Sequence, residues 1–491
     1  MKKEFLIILG VGAMLNFSCQ KSLLSPVSET QVSDQDYQPF TTAARINSQV
    51  LGLYASIRQS TTSNATTYNS IYGGRYQIYN DIKADNWLNY TSNSVTAYQT
   101  WNETVTSTAS EVEGLWQAVY RTINSCNLFI DGMAAKGTAV VGSTQGGNYV
   151  AEAKFLRALS YYSLLQLYCR PYWDGNGNQP GLPLRLTGNS SYNNYDLARS
   201  TVAQVYTQII SDLQAAETGL PTTYADASTN TTRAHKNTAI ALLTRVYLTM
   251  QKWPDVITEA NKVVPGSAPF TASSGVANTL QATPAAAFTT YTTPESIFSM
   301  PFVNATETPG SQSALADYFG GLGATEFYLN PNGVIADPNW KASDLRRGFV
   351  TTKSGRGCIT KFSTAAPYTD WAPVIRWPEV LLNLAEARAR STQSVDAQAV
   401  ALLNAVRHRA DASTTYTTAS FATYTDLVNA ILQERNIEFL GEGLRNIDLV
   451  RLGLTIPAKG TVPAITPTDP RYIWPIPNSE LLYNKLMTSN P

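Results

Sequence analysis

Charged side chains are scarce in this chain. Asp, Glu, Lys and Arg make up 15% of its 491 residues, and 36 acidic groups balance 36 basic ones. A nucleic-acid-binding surface needs a local excess of basic groups. Electrostatic capture of a highly charged ligand likewise needs an excess of one sign. The composition therefore argues against nucleic acid as a partner and disfavours highly charged ligands.

Catalytic signatures are also missing. The sequence contains no P-loop, HExxH, GxSxG or CxxC motif, and its two histidines, at 235 and 408, are too few for a His-based metal or nucleophile site. Carboxylates do occur beside arginines in predicted helices, where structural ion pairs explain them better than acid–base chemistry. The sequence thus predicts no catalytic residues, no cofactor and no metal. The carboxylates in question are Glu379, Glu386, Glu434, Glu438 and Asp448.

The chain has four cysteines, of which Cys19 stands apart near the N-terminus. Three remaining thiols do not make a disulfide framework. Cys126 and Cys169 lie in apolar helical patterns and are predicted to be small buried residues. One disulfide could form between two of Cys126, Cys169 and Cys358, and the sequence leaves this open.

The N-terminus reads as a targeting segment. Met1-Lys2-Lys3 is positively charged, and the apolar stretch 5–17 is too short to span a bilayer. Ser18-Cys19 ends this stretch and resembles a bacterial lipoprotein box, although Leu15 lies one position earlier than the usual leucine. We predict a signal peptide over 1–18, lipidation of Cys19 and a polar tether over 19–39. The alternative is an ordinary secretory signal with an incidental cysteine.

Helical periodicity dominates the rest of the sequence. The stretch from Asn148, a predicted N-cap, to Arg170 is apolar on two faces, so we expect a helix buried between neighbours. Most of 61–111 is predicted to be irregular. Further helices are predicted over 40–59, 111–133, 201–217, 236–251, 254–264, 377–390, 395–409 and 424–441.

These patterns predict a mainly α fold of tetratricopeptide-like helix pairs packed against a loop-rich lobe with few short strands. One domain is expected over 40–491. Its helical scaffold covers 40–264 and 374–455, and the loop-rich lobe covers 265–373. From 456 to 491 we expect a tail that is extended across the surface from Trp474 onward.

Several segments together resemble one family. AEAKFLRALSYYSLLQLYCRPYW (151–173), VIRWPEVLLNLAEA (374–387), the Glu- and Arg-rich segment 431–453, the WPIPNSEL and final NP of the tail, and DIKADN (81–86) follow the motifs and order of the SusD/RagB outer-membrane lipoproteins. The resemblance covers nearly the whole mature chain, mostly through scaffold motifs.

The resemblance implies a non-catalytic nutrient-binding lipoprotein that covers a SusC-like TonB-dependent outer-membrane transporter and delivers glycans to it for import. Some members bind peptides instead, which leaves a RagB-like peptide-binding relative as an alternative. A less favoured alternative is an exported carbohydrate-active hydrolase. The segment after Cys19, Gln20 to Leu24, lacks the acidic residues that often accompany surface export, so a location facing the cell exterior follows from the family alone.

By analogy with the family, ligand contacts are expected in variable loops. Aromatic rings can stack on sugar faces, and amides can bond to hydroxyls without any charge. The alternative for each aromatic residue is that it covers a helix edge. The candidates are Asn86, Trp87, Asn89, Tyr90 and Trp101 from the first loop and Tyr328, Trp340 and Trp371 from the lobe.

Overall fold

The fold was analysed in a computed structural model, which describes residues 38–491 except 64, 65, 69, 70, 192, 304–306, 311 and 323–325. It is 51% helix and 7% strand, which confirms the mainly α prediction. The helices are α1 (Ala43–Arg58), α2 (Arg75–Lys83), α3 (Tyr98–Trp101), α4 (Ser110–Gly132), α5 (Thr138–Val141), α6 (Ser143–Tyr168), α7 (Val202–Gly219), α8 (Ala227–Thr232), α9 (Lys236–Thr249), α10 (Trp253–Ala260), α11 (Leu315–Phe319), α12 (Trp377–Thr392), α13 (Ala397–Ala410), α14 (Tyr424–Glu438), α15 (Arg445–Arg451) and α16 (Asn478–Tyr483).

Helix α6 is the centre of the first half of the fold. It packs against α4 and α7 and is buried on both of its faces, as its two apolar stripes predict. It starts at Ser143, earlier than the predicted cap Asn148, because Gly142, with a positive φ of 83°, ends the preceding helix α5 there. Its end at Tyr168 lies just before Pro171, which cannot extend the helical ladder.

The remaining long helices continue this packing as neighbours. α7 packs on α9, α9 on α10, and α10 on α12, which in turn contacts both α13 and α14. Long helices that follow one another in the sequence, apart from the short α8 and α11, are thus neighbours in space, as in helical-repeat proteins. The long helices predicted from the sequence are all present, with ends that differ by a few residues.

The strands form short two-stranded antiparallel sheets, three of which include strands of the loop-rich lobe. The pair β4–β8 is buried along all of its residues, and β3–β5 joins the first half of the chain to the lobe. The strands are β1 (Thr61–Ser63), β2 (Thr66–Tyr68), β3 (Trp87–Asn89), β4 (Ser296–Met300), β5 (Phe327–Leu329), β6 (Val350–Lys353), β7 (Arg356–Ile359) and β8 (Ala372–Arg376).

Two predictions need correction. Helix α2 lies where an irregular segment was expected. Its turns bury polar side chains such as Gln77, Asn80 and Asp81, so no apolar period marks it. The tail was expected to lie extended across the surface, but Trp474 is buried against the rings of Tyr79 and Tyr168, and helix α16 follows it.

A buried ion-pair network fastens the lobe to the scaffold. Each cation in it lies within 4.0 Å of at least one carboxylate, and all of its side chains are 7% exposed or less. Its members are Arg346, Lys361, Arg376, Arg407 and Arg409 with Glu295, Asp344, Glu434, Glu438 and Glu442. Separate buried pairs engage Glu379, Glu386 and Asp448, so the predicted structural role of these carboxylates is confirmed.

The three cysteines of the described region, Cys126, Cys169 and Cys358, are buried and free. Within that region, no helix is long and apolar enough to cross a membrane. The described residues also contain no group of His, Cys, Asp and Glu arranged to hold a metal. The predicted signal peptide, the lipidation residue Cys19 and nearly all of the tether lie outside the described residues.

Candidate functional site

The pairing of β3 with β5 brings the first predicted loop to the lobe. Leu88 lies opposite Tyr328, and Asn89 lies opposite Phe327. The Tyr90 N–H then donates to the Glu326 carbonyl over 3.1 Å, which extends the pairing by one residue. Residues far apart in the sequence thus share one edge of the molecule.

Two tyrosines predicted as site residues meet at this edge. The rings of Tyr90 and Tyr328 lie 5.2 Å apart at 74°, an edge-to-face arrangement. Tyr90 is 48% exposed, whereas Tyr328 is 7% exposed and supports it from below. Of the predicted aromatic residues, Tyr90 is the most exposed.

Arg356 completes the arrangement, and sequence reasoning missed it. The turn between β6 and β7 has positive φ at Ser354 (50°) and Gly355 (75°), and it places Arg356 at the start of β7 beside β5. Its Cζ lies 3.9 Å from the centroid of the Tyr90 ring and 5.2 Å from that of Tyr328. We call Tyr90, Tyr328 and Arg356 the platform.

The two predicted asparagines use their side chains for hydrogen bonds within the protein. Asn89 Oδ1 accepts the N–H groups of Thr91 and Ser92 over 3.0 and 2.9 Å, which closes a turn beside Tyr90. Asn86 is 1% exposed: its Nδ2 donates to Asn436 and its Oδ1 accepts from the Val334 N–H. Asn86 therefore fastens the loop to the scaffold, and its side chain does not reach a surface ligand.

Three predicted tryptophans belong to the core. Trp87 is fully buried and stacks on Phe319 with ring centroids 4.1 Å apart. Trp101 is 4% exposed, and its Nε1 donates to the Trp87 carbonyl over 2.8 Å. Trp340 is 2% exposed, with Arg347 4.2 Å above its ring. Burying an indole removes a large apolar area from water, which explains their inward position and corrects their expected role as sugar-stacking surfaces.

Trp371 occupies a separate place. It is half-buried and pairs with Tyr291 at 6.4 Å, and the Tyr291 hydroxyl lies 3.1 Å from that of Ser228 on α8. A cleft of about 420 Å³ also adjoins α8, between α1 and β4. The cations that line it are already paired, Arg233 with Glu152 and Arg58 with Glu307.

Two carboxyl groups on α2 and on the loop that follows it have shifted pKa values. Burial raises the pKa of Asp81 to about 8, although the Gly443 N–H donates to this carboxyl over 3.0 Å and opposes the shift. Burial also acts to raise the pKa of Asp85, but its ion pair with Arg445 overcomes it and lowers that pKa below the usual range. Asp81 bonds to the Gly443 N–H and Asp85 is paired with Arg445, so both carboxyl groups have structural partners.

The carboxylate next to the platform is that of Glu326. It accepts hydrogen bonds from Asn93 Nδ2, over 2.8 Å, and from the Thr96 hydroxyl, so it holds the loop 93–96. The chemistry that the platform offers is therefore ring stacking, hydroxyl donation and a guanidinium, which are binding functions.

Comparison with known proteins agrees with this architecture. Residues 30–248 match a SusD-like family described as starch-binding and associating with the outer membrane, and residues 324–491 match the SusD family. A solved SusD superfamily protein from Bacteroides fragilis is 33% identical, with 92% of this chain and 100% of that chain aligned and a TM-score of 0.81. The fold is therefore that of the SusD superfamily, whose helices pack in a tetratricopeptide-like manner. The chain belongs to the SusD/RagB family.

More distant relatives extend the comparison. A laminarin-binding SusD-like protein shares the fold at 21% identity and a TM-score of 0.69, over 92% of this chain and 99% of that one. A SusD-like protein of Formosa agariphila is 24% identical over 260 residues, which is half of this chain. The match spans 43% of that curated relative's length.

Proposed function

We propose that this protein is a non-catalytic glycan-binding lipoprotein of the outer membrane, which captures oligo- or polysaccharide for import through a SusC-like TonB-dependent transporter. The observation that carries the proposal is the platform. A half-exposed tyrosine ring, packed edge-to-face against a second tyrosine, is the kind of surface on which a sugar ring stacks. The laminarin-binding relative with the same fold supports glycan as the ligand class.

The absence of turnover is part of the proposal. A glycoside hydrolase needs two carboxyl groups that flank the scissile bond. Next to the platform, Glu326 is held by Asn93 and Thr96, and Asp85 is paired with Arg445. Incubation of the protein with any glycan that it binds should release no new reducing ends, and release of such ends would contradict the proposal.

Binding is tested by affinity electrophoresis and calorimetry against a panel of polysaccharides, with oligopeptides as the arm that tests the peptide-binding alternative. Tyr90→Ala should weaken binding of every glycan ligand at least tenfold, because the stacking surface is lost. Tyr328→Ala should have a smaller effect, since it removes the support of Tyr90. Peptide binding without glycan binding would overturn the ligand class.

The matched control is Tyr483→Ala. Tyr483 is 83% exposed at the end of α16, on the C-terminal tail. Its loss removes an exposed tyrosine of the same size without touching the platform. Equal losses in Tyr483→Ala and Tyr90→Ala would contradict the placement of the site.

Anchoring and partnership need tests of their own. Metabolic labelling with an alkyne fatty acid should mark the wild-type protein, and Cys19→Ser should abolish the label. Cross-linking in the native outer membrane, followed by mass spectrometry, should recover a TonB-dependent transporter. Persistent labelling of Cys19→Ser would contradict the lipid anchor, and recovery of no transporter would contradict the import role.

A further inference from the structure

A basic segment lies within this neutral chain. From Leu345 to Thr369 there is no Asp or Glu, while five cations occur in the same stretch, namely Arg346, Arg347, Lys353, Arg356 and Lys361. The 36 acidic and 36 basic residues of the whole chain therefore balance on average but not in this segment. What each cation contacts decides whether any of them is available to a ligand.

Three of the five cations have structural partners. Arg346 is buried against Asp344, Glu434 and Glu438, and Lys361 is buried against Glu442. Arg347 covers the Trp340 ring and donates to the carbonyls of Trp340 and Ile335.

Lys353 and Arg356 face each other across the β6–β7 turn. Within the described part of the chain, neither has a carboxylate within 4.0 Å, and the Arg356 guanidinium has no hydrogen-bond acceptor. The contrast with Arg347 is direct: both arginines lie over an aromatic ring, but only Arg347 also binds carbonyl oxygens. Arg356 retains its N–H donors for a ligand.

The position of Arg356 is also favourable for recognising an anion. The Tyr90 ring covers one side of the guanidinium at 3.9 Å, and Tyr328 flanks it at 5.2 Å. Ring contact restricts the side chain before a ligand arrives and shields the charge partly from water. A guanidinium held in this way can donate two parallel hydrogen bonds to a planar carboxylate or to a sulfate ester.

Adjacent acidic groups do not cancel this charge. Glu326, the neighbour of Tyr90 across the strand pair, directs its carboxylate to Asn93 and Thr96. Asp85, on the loop before β3, is neutralised by Arg445 at 2.9 Å.

We infer that the glycan of this protein carries anionic groups, carboxylates or sulfate esters, and that Arg356 binds such a group while the sugar ring lies on Tyr90. The inference rests on the proposed function and specifies its substrate class. It refines the expectation from overall composition, because an arginine without an ion pair lies beside the exposed ring of Tyr90 in a chain that is neutral as a whole.

The experiment compares polysaccharides that share a backbone and differ in charge. Polygalacturonate is paired with its methyl ester, alginate with its propylene glycol ester, and κ-carrageenan with its chemically desulfated form, with neutral laminarin and starch alongside. Calorimetry at low salt should give at least tenfold tighter binding for the anionic member of one pair. The carboxylate and sulfate arms distinguish the two sources of charge. Addition of 0.5 M NaCl should reduce that preference.

Variants of the full chain assign the preference to one residue. Arg356→Met keeps an apolar stem over Tyr90 and removes the charge, so anionic and neutral members should then bind within about threefold of each other. Arg356→Lys keeps the charge but loses the two-pronged donor, and it should restore only part of the preference. Arg471→Met removes an exposed cation that pairs with Asp469 elsewhere, and it should leave the preference intact.

The measurements distinguish failure of the anionic-ligand inference from failure of the proposed glycan-binding function. If neutral glycans bind as tightly as anionic ones, the inference fails and the proposed glycan-binding function stands. A preference that survives in Arg356→Met would overturn the assignment to Arg356. If none of the polysaccharides binds, the proposed function fails and the inference fails with it.

Discussion

Arg376 and Glu438 form a buried ion pair, with 3.0 Å between Nη1 and the carboxylate and 4% and 2% of their side chains exposed. Arg376 ends β8 immediately before α12, and Glu438 is the last residue of α14. The same guanidinium binds Glu295, just before β4, at 2.7 Å. One arginine thus joins the lobe sheet to two scaffold helices, which makes the position of the lobe depend on buried charge.

Glu438→Gln should destabilise the protein strongly. The carboxylate contacts Arg346, Arg376 and Arg409, and a neutral amide would leave these cations undercompensated in the interior. Removal of one partner of a buried pair costs about 3–5 kcal/mol of unfolding free energy. Urea denaturation measures the loss. Arg471→Gln, which breaks an exposed pair with Asp469, should cost about 0–1 kcal/mol, and similar losses in both variants would contradict the role of the network.

The same carboxylate predicts an acid-side loss of stability. Burial alone would raise the pKa of Glu438, but Arg409, Arg376, Arg346 and Lys361 overcome it and lower that pKa well below the usual range. The stabilisation from the ionised group is therefore complete above the ordinary glutamate pKa of about 4.3 and is lost as the pH falls below it. Unfolding free energies measured from pH 7 to pH 3 should fall more steeply for the wild type than for Glu438→Gln. Parallel curves would contradict this prediction.

The buried Asp81 carboxyl predicts the opposite dependence of stability on pH. Its folded-state pKa is raised by burial to about 8, against an ordinary value of 3.8, so the folded protein holds a proton that the unfolded chain releases. Stability should decline as the pH rises from about 4 to about 8. Asp81→Asn keeps an oxygen to accept the Gly443 N–H and should remove this decline. Its unfolding free energy should therefore rise relative to that of the wild type between pH 5 and pH 8.5. Asp255→Asn, on the exposed side of α10, is the control, and an equal gain there would count against the assignment.

Helix positions could be predicted because apolar side chains recur at helical spacing where helices pack on one another. Leu156, Leu159 and Phe155 are all fully buried and mark α6 in the sequence. The same reasoning fails for α2, whose buried face carries Gln77 and Asp81. Polar residues become suitable for the interior only through partners that lie far along the chain, such as Gly443.

Less of the candidate site than of the fold could be predicted from the sequence. Trp87 and Tyr90 are three positions apart, yet one is fully buried and the other is 48% exposed, because the β3–β5 pairing decides which ring faces the core. Arg356 has no local feature that connects it to Tyr90. The acid-free stretch 345–369 is the one sequence signal that could have drawn attention to it.

The two aromatic residues of this loop should respond differently to substitution. Trp87→Ala empties a fully buried site beside Phe319 and should cost about 3–5 kcal/mol of unfolding free energy. Tyr90→Ala should change stability by less than about 1 kcal/mol, because half of its surface is already in water. Thermal and urea unfolding measure both. Trp87→Ala should also leave glycan affinity per folded molecule nearly unchanged, and a selective loss of affinity would return Trp87 to the binding site.

Gly443 should tolerate no side chain. It has φ +81°, and a Cβ there would lie 2.5 Å from the backbone Cα of Gln77 in α2. Gly142 has nearly the same φ, +83°, but open space around its Cβ position, so Gly142→Ala measures backbone strain without a clash, about 1–3 kcal/mol. Gly443→Ala should cost several kcal/mol more, since α2 must move away from the 441–443 turn and lose the hydrogen bond to Asp81. Urea denaturation of the two variants side by side measures the difference, and equal losses would show that α2 yields to the added methyl group without cost.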